Sequence, residues 1–208
     1  MNFIKSKFGI NSSTPCFIDV ILDDYDELLI KSKQMFCEIF YGEENEKIAN
    51  FQKNNFWDKL NIVGDNEIEY TKTNSKTLYY SEKETLIELG KKYFEKYGLE
   101  VSENYFLPAN NCVEIHYATS DENETNPIFD WHKDDYGGIN CKVHTLIIYL
   151  ENTSNNGGFE IECKKTKKNY VIKTEKNKCL MFSGDVEHRA LALKNGTRIA
   201  VVIQIERK

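Results

Sequence analysis

The chain has 208 residues, of which 40% are hydrophobic and 29% are charged, and its formal net charge is −6. This length is enough for one domain with a sizeable core, and the acidic balance gives no overall electrostatic drive onto nucleic acid. No stretch of about 18 apolar residues occurs, so the sequence predicts no membrane-spanning helix. Residues 1–15 lack the apolar core of a secretion signal, and we therefore expect a cytoplasmic protein.

The six cysteines support the same expectation. None of them forms a C-x-x-C pair, and their spacing matches no metal site. Disulfide frameworks are typical of small secreted proteins, whereas intracellular thiols are usually reduced. We therefore expect six free thiols, at positions 16, 37, 112, 141, 163 and 179.

The first half of the chain, residues 1–100, is predicted to be a helical support region. Apolar residues recur there at helical spacing, and Ser81 with Glu84 forms a capping box. Residues 61–80 look irregular or like a hairpin. The predicted helices cover 23–40, 45–60 and 81–100.

The second half of the chain, residues 101–208, is predicted to be all β and to form one integrated domain with the first half. The hydrophobic period falls to two, and Gly or polar turns separate the short apolar runs. Many short strands at this spacing indicate a sandwich or a barrel. The eight predicted strands cover 111–118, 128–134, 143–151, 157–163, 169–174, 178–183, 187–193 and 197–206.

The stretch "FDWHKDDYGG" contains an H-x-D triplet that could bind a metal ion. In a strand, residues i and i+2 share a face, so His132 and Asp134 would point the same way and Asp135 the other way. His188, which opens a later strand, is the natural third ligand. Two imidazoles and one carboxylate on one side of a metal are typical of non-haem Fe(II) oxygenases, whereas Zn²⁺ prefers tetrahedral sites with more nitrogen or sulfur ligands.

Arg198 follows His188 by ten residues and begins the apolar strand "RIAVVIQI". A charge on the inward face of such a strand requires an anionic partner, because an unpaired buried charge is costly. A dicarboxylate held by the planar guanidinium would meet this requirement. Alternatively, Arg198 lies at the strand end and reaches solvent.

Taken together, these residues resemble the Fe(II)/2-oxoglutarate-dependent dioxygenases, and most closely their prolyl 4-hydroxylase-type branch. The spacing His132-x-Asp134, His188, Arg198 is similar to that family's motif. The phrase "VHTLIIYLENTSNNGGFEIE" resembles the branch's Tyr-containing strand and Gly-Gly turn, and "EHRALALKNGTRIAVVIQI" resembles its closing segment. The resemblance covers roughly residues 110–206.

The resemblance implies an α+β fold, namely a double-stranded β-helix (a cupin-like jelly roll) braced by N-terminal helices. It implies that Fe(II) is held by His132, Asp134 and His188. The far carboxylate of 2-oxoglutarate would bind Arg198 and Tyr149. The resemblance also places Tyr117 at the co-substrate pocket, with Thr145 on the same strand face as Tyr149.

Some features depart from the branch. The Pro that usually follows the second histidine is absent, and the loop 120–127 is polar and acidic instead of Gly-rich. Gln204 and Ile205 stand where the family often has a hydrophobic residue or Trp. These departures leave the chemistry intact and put specificity for proline in doubt.

We therefore expect an enzyme that uses Fe(II), 2-oxoglutarate and O2 to hydroxylate an amino-acid side chain, in a peptide, a protein or a small molecule. One alternative is an AlkB-like nucleic-acid demethylase, which the acidic balance disfavours. Another is a cupin-like metal-binding module without turnover, which needs neither Arg198 nor Tyr149. The remaining histidines, His116 and His144, are expected to be packed or solvent-facing.

Overall fold

The structure is a computed structural model that describes residues 16–41, 68–71, 76–81, 84–102, 112–120, 127–135, 142–153, 157–163 and 166–208. Within these ranges lie two helices, α1 (Glu27–Tyr41) and α2 (Glu84–Lys96). Neither is long and apolar enough to cross a membrane. The strands are β1 (Ile18–Ile21), β2 (Ile68–Thr71), β3 (Lys76–Ser81), β4 (Cys112–Ser120), β5 (Phe129–His132), β6 (Val143–Asn152), β7 (Gly158–Cys163), β8 (Lys168–Lys173), β9 (Lys178–Ser183), β10 (His188–Ala190) and β11 (Gly196–Glu206).

These strands form two antiparallel sheets that face each other. The large sheet has the order β1-β9-β6-β11-β4-β3-β2, and the small sheet has the order β5-β10-β7-β8. Strands from both halves of the chain therefore lie side by side in the large sheet. The architecture is a double-stranded β-helix, a jelly roll, with the two helices on its large sheet.

Helix α2 packs on the large sheet because its apolar residues repeat at helical spacing. Its buried face includes Leu86, Leu89 and Phe94, and this face joins a core cluster with residues of β4, β6 and β11. Gly90 allows a close approach, since a Cβ there would lie 3.0 Å from Cγ2 of Ile203.

A second core lies between the two sheets. Strands β6 and β11 are buried on both faces, which explains why their sequences are almost continuously apolar. On β6, Leu146 and Ile148 point toward the helices, whereas Ile147 and Tyr149 point toward the small sheet. The second face forms the floor of the site described below.

Most predicted elements agree with the structure. Each of the eight predicted strands corresponds to one of β4–β11, and the predicted helices 23–40 and 81–100 correspond to α1 and α2. The hairpin alternative for 61–80 is confirmed by the pairing of β2 with β3. The predicted helix 45–60 lies outside the described residues. Strand β1 was not predicted, and it extends the large sheet beside β9.

The expectation of six free thiols is wrong for one pair. Cys16 and Cys163 form a disulfide, with their Cα atoms 5.8 Å apart. The bond joins the segment just before β1 of the large sheet to the end of β7 in the small sheet. Among the described cysteines, Cys37 and Cys179 are free. The cytoplasmic location remains a prediction.

Candidate metal centre and co-substrate pocket

Two histidines meet where β5 and β10 pair in the small sheet. His132 ends β5, His188 begins β10, and the two residues are direct partners in the antiparallel register. Their ring centroids lie 4.2 Å apart. Asp134 follows β5 in a bend, where its backbone N–H donates to the Gly184 carbonyl at 3.0 Å. This bond brings the carboxylate back beside both imidazoles.

The side chains of His132, Asp134 and His188 form a group that could hold a metal ion. Oδ1 of Asp134 lies 3.5 Å from Nε2 of His188 and 3.7 Å from Nε2 of His132. The candidate ligand atoms all lie within 4.8 Å of one another. Metal bonds of about 2.0–2.2 Å put neighbouring ligand atoms about 3 Å apart, so small side-chain rotations suffice to close the set around an ion. Among the described residues this is the one such group.

Both imidazoles are oriented by main-chain carbonyls. Nδ1 of His132 lies 2.6 Å from the Asp130 carbonyl oxygen, and Nδ1 of His188 lies 2.9 Å from the Val186 carbonyl oxygen. A carbonyl only accepts, so each Nδ1 carries the proton and donates it. The unprotonated Nε2 atoms are then available to a metal, which is the arrangement that metal-binding histidines usually show.

Asp134 is held as a carboxylate. The Thr145 hydroxyl donates to its Oδ2, and Oδ1 faces the two histidines. Burial by itself raises the pKa of Asp134, but interactions with His188 in its protonated, metal-free form, together with the hydrogen bond from Thr145, outweigh burial and lower it. The site therefore offers two imidazole nitrogens and one carboxylate oxygen.

The neighbouring carboxylate of Asp135 points away from the two histidines. Its Oδ1 accepts from the Val143 N–H at 2.9 Å, and its Oδ2 accepts from Arg207 at 2.6 Å. The prediction that Asp135 faces away from His132 agrees with the structure, but strand pleating is not the cause. Strand β5 ends at His132, and a bend rather than strand pleating separates the two aspartates.

A cavity of about 350 Å³ lies between the two sheets, next to the three candidate ligands. Its floor is the inner face of the large sheet, where alternate residues of β6 and β11 point inward. Thr145 and Tyr149 line it from β6, and Arg198 lines it from β11. Ile147, Ala200 and Val202 make the floor largely apolar, and Phe159 of β7 forms an apolar wall from the small sheet.

Arg198 and Tyr149 are buried in this cavity, and each has a polar atom that meets no partner among the described residues. These atoms are Nη1 of Arg198 and the hydroxyl of Tyr149. Burial lowers the pKa of Arg198 and raises that of Tyr149. Buried donors are normally hydrogen-bonded, so two orphaned donors facing one cavity fit a carboxylate-bearing ligand. The alternative that Arg198 reaches solvent is wrong, since only 4% of the residue is exposed.

Two residues of β4 lie differently from expectation. The expected pocket role of Tyr117 does not fit its position, because Tyr117 shares the face of Val113 and Ile115, which pack in the helix-side core. The opposite face of β4 brings Glu114 and His116 to the cavity. The alternation of side chains along a strand predicts that His116 and Tyr117 lie on opposite faces of β4. The sequence does not indicate which of these faces borders the cavity. His144 is packed against Phe94, as expected.

The donor set fits Fe(II) and 2-oxoglutarate. Two imidazoles and one carboxylate on one side of a metal leave other positions open, which is the arrangement typical of non-haem Fe(II) oxygenases. The orphaned donors of Arg198 and Tyr149 could receive the second carboxylate of a co-substrate whose other end reaches the metal.

Comparisons with known proteins agree with this geometry. Residues 116–205 match the family model of the 2OG-Fe(II) oxygenase superfamily. No curated protein matches the sequence. A Pseudomonas putida prolyl-4-hydroxylase has a similar structure, with 8% identity, 92% of each chain covered and a TM-score of 0.57.

Plant enzymes are also similar in structure. The rice dioxygenase for auxin oxidation is 9% identical, with 93% of this chain and 74% of that chain covered and a TM-score of 0.58. The Arabidopsis thaliana dioxygenase for auxin oxidation, solved with 2-oxoglutarate, is 14% identical, with 93% and 84% covered and a TM-score of 0.54. At these identities the likeness concerns the fold. The match of residues 116–205 to the 2OG-Fe(II) oxygenase superfamily model, the fold and the donor set agree with one another, and together they support a dioxygenase that uses Fe(II), 2-oxoglutarate and O2.

Proposed function

We propose that this dioxygenase hydroxylates an amino-acid side chain, in a peptide, a protein or a small molecule. In this proposal His132, Asp134 and His188 hold Fe(II), and Arg198 with Tyr149 binds the far carboxylate of 2-oxoglutarate. The observation that carries the proposal is the pair of orphaned buried donors facing the same cavity as the three candidate ligands.

The reaction balances as substrate C–H plus 2-oxoglutarate plus O2 giving substrate C–OH, succinate and CO2. When bound, Fe(II) and 2-oxoglutarate supply the oxidising power, and the protein supplies position and shelter. The imidazoles are held in one orientation by backbone carbonyls, and Asp134 is held by Thr145. Arg198 sets the direction of the co-substrate, and the apolar walls exclude water.

An amino-acid side chain suits the size of the site. A cavity of about 350 Å³ lies at the low end of the range for small-molecule sites, which run from about 300 to 1,000 Å³. The net charge of −6 disfavours a nucleic-acid substrate. The sequence resemblance to prolyl 4-hydroxylases supports the same substrate class.

The test is formation of succinate from 2-oxoglutarate with Fe(II), screened over peptides, free amino acids and nucleotides. We expect peptides or amino acids to raise succinate formation above the rate without substrate, and His188→Ala to abolish it. Stimulation by nucleotides alone would favour a nucleic-acid demethylase instead. Metal binding without any succinate, in a folded protein, would indicate a metal-binding module.

A further inference from the structure

A pair formed by a buried acid and a half-buried histidine lines the cavity in addition to the candidate ligands. Glu114 and His116 occupy alternate positions of β4, and both point toward the small sheet. Oε2 of Glu114 lies 2.6 Å from Nε2 of His116. Glu114 is 7% exposed, so its carboxylate is shielded from solvent although it borders an open cavity.

The strand register places this pair across the cavity floor from the proposed co-substrate anchor. His116 pairs with Ala200 of β11, which in turn pairs with Tyr149 of β6. Two strand spacings, about 10 Å, therefore separate His116 from Tyr149. Ala200 and Val202 form the floor between them, and these small side chains leave the space above the floor open.

The pair is also close to the metal centre. The His116 ring lies 5.0 Å from the ring of Phe129, and Phe129 lies 5.8 Å from the ring of His132. One phenyl ring thus connects the pair with a candidate ligand. A substrate group bound at Glu114 would place its neighbouring carbons beside Phe129 and near the metal.

Charge decides which group the pair can bind. The co-substrate is a dianion, and a carboxylate beside it is repulsive, so Glu114 is unsuited to binding 2-oxoglutarate. Asp134 is directed at the metal, and Lys133 lines the cavity but is exposed. A buried carboxylate that lines the cavity and is not one of the candidate metal ligands can accept hydrogen bonds from a cationic group.

We propose that Glu114 and His116 bind a cationic group of the substrate, an ammonium or a guanidinium, so that a basic side chain is the one hydroxylated. The inference rests on the proposed function. The carboxylate accepts the charged donors, and the Phe129 ring packs against the aliphatic stem. The oxidised carbon then lies on that stem, between the charged end and the backbone of the substrate.

The experiment compares four tripeptides, N-acetyl-Gly-X-Gly-amide, in which X is lysine, arginine, norleucine or glutamate. Succinate formation is measured for the wild type, for Glu114→Gln and for His116→Asn. Glu160→Gln is the matched control, because Glu160 is also a buried acid in an ion pair, with Arg189, but does not line the cavity.

We expect the lysine or arginine peptide to stimulate the wild type at least tenfold more than the norleucine peptide, with no stimulation by the glutamate peptide. Glu114→Gln should reduce this preference at least tenfold, His116→Asn should reduce it less, and Glu160→Gln should retain it. Equal stimulation by norleucine, a preference unchanged in Glu114→Gln, or succinate formation that no basic peptide raises would overturn the inference and leave the dioxygenase intact. Absence of succinate under all conditions would instead contradict the proposed function.

Discussion

At the scale of single residues, the two adjacent aspartates have separate tasks. Asp134 faces the histidines and accepts from Thr145, whereas Asp135 accepts from the Val143 N–H and from Arg207. The Asp134 side chain is suited to binding a metal, whereas the Asp135 side chain binds the start of β6 and Arg207, the residue that follows β11.

This division predicts different defects for two similar substitutions. Asp134→Asn removes the anionic ligand, so we expect metal affinity to fall at least a hundredfold while the fold remains. Asp135→Asn weakens a half-buried ion pair, so we expect a loss of about 1–3 kcal/mol in the free energy of unfolding and a smaller loss of metal affinity. Calorimetric titration measures the metal affinity of each variant, and urea denaturation measures its free energy of unfolding. Equal losses of metal affinity in the two variants would be inconsistent with the assignment.

His144 illustrates how one buried residue makes stability depend on pH. Burial lowers its pKa from the ordinary value of 6.5, the charge of Arg207 lowers it further, and the Glu100 carbonyl only partly opposes them. Nδ1 of His144 has no partner among the described residues. The folded state therefore binds fewer protons than the unfolded state just below pH 6.5.

The contribution of His144 to stability is present above about pH 6.5 and is lost as the pH falls below that value. We expect the free energy of unfolding of the wild type to decrease from pH 7.5 to pH 5.5 more steeply than that of His144→Gln. Urea denaturation at several pH values measures this difference. Parallel curves for the two proteins would refute it.

At the scale of elements, the bend after β5 and the turn after β9 form one unit. The Gly184 carbonyl accepts from the backbone N–H groups of both Asp134 and Asp135. Arg207 donates to Asp135, Ser183 and Asp185, and so connects the bend, the turn and the C-terminal end of β11. This unit positions two of the three candidate ligands, because β10 begins with His188 directly after the turn.

Gly184 is a sensitive point of this unit. A Cβ there would lie 2.5 Å from Oδ1 of Asp135 and 2.9 Å from the Val143 carbonyl oxygen. Gly184→Ala should therefore shift the bend, lower the free energy of unfolding by about 1–3 kcal/mol and weaken metal binding at least tenfold.

The matched control is Gly98→Ala. Gly98 has a φ of +77° and open space around it, so alanine there costs backbone strain but meets no neighbour. We expect a comparable loss of stability without loss of metal affinity. Metal affinity that is unchanged in Gly184→Ala would show that the turn does not position the ligands.

How well the sequence predicts an element depends on whether the residues that determine the element are close together in sequence. The eight later strands follow from period-two patterns and polar turns, which are local. Strand β1 has only four residues and a partly exposed face, so its identity depends on pairing with β9. The bend that ends β5 at His132 depends on the Gly184 carbonyl, which is distant in sequence.

The same distinction applies to the site. The H-x-D triplet and the spacing from His188 to Arg198 are visible in the sequence, and the structure brings all four residues to one cavity. The orientation of β4 is not visible, because both of its faces are buried. The resemblance placed Tyr117 at the pocket, and the alternation of side chains along β4 could not show that His116 lies there instead.

At the scale of the whole molecule, one disulfide links the two sheets. Cys16 and Cys163 are 147 positions apart in sequence, so their bond closes a long loop of the unfolded chain. Such a constraint stabilises the folded state by about 2–5 kcal/mol in chain-entropy terms. We expect Cys16→Ser to lower the free energy of unfolding by this amount and to abolish the effect of a reducing agent.

Cys37→Ser is the control, because Cys37 is a free and exposed thiol. It should leave stability and the response to reducing agent unchanged. Mass spectrometry after alkylation of the unreduced protein provides a direct check. Alkylation of Cys16 and Cys163 under these conditions would show that the bond does not form.

The central claim is that one cavity binds a metal ion and a dicarboxylate together. The most direct test is a calorimetric titration of 2-oxoglutarate into protein loaded with Mn²⁺, which is not oxidised in air. We expect one equivalent to bind the wild type and Arg198→Ala to weaken binding by roughly 10–150-fold, since a charge-assisted bond contributes about 1.5–3 kcal/mol. Metal affinity should be unchanged in that variant. The control Arg189→Ala, whose arginine pairs with Glu160 and does not line the cavity, should bind like the wild type. Binding of 2-oxoglutarate that is unchanged in Arg198→Ala would contradict the account.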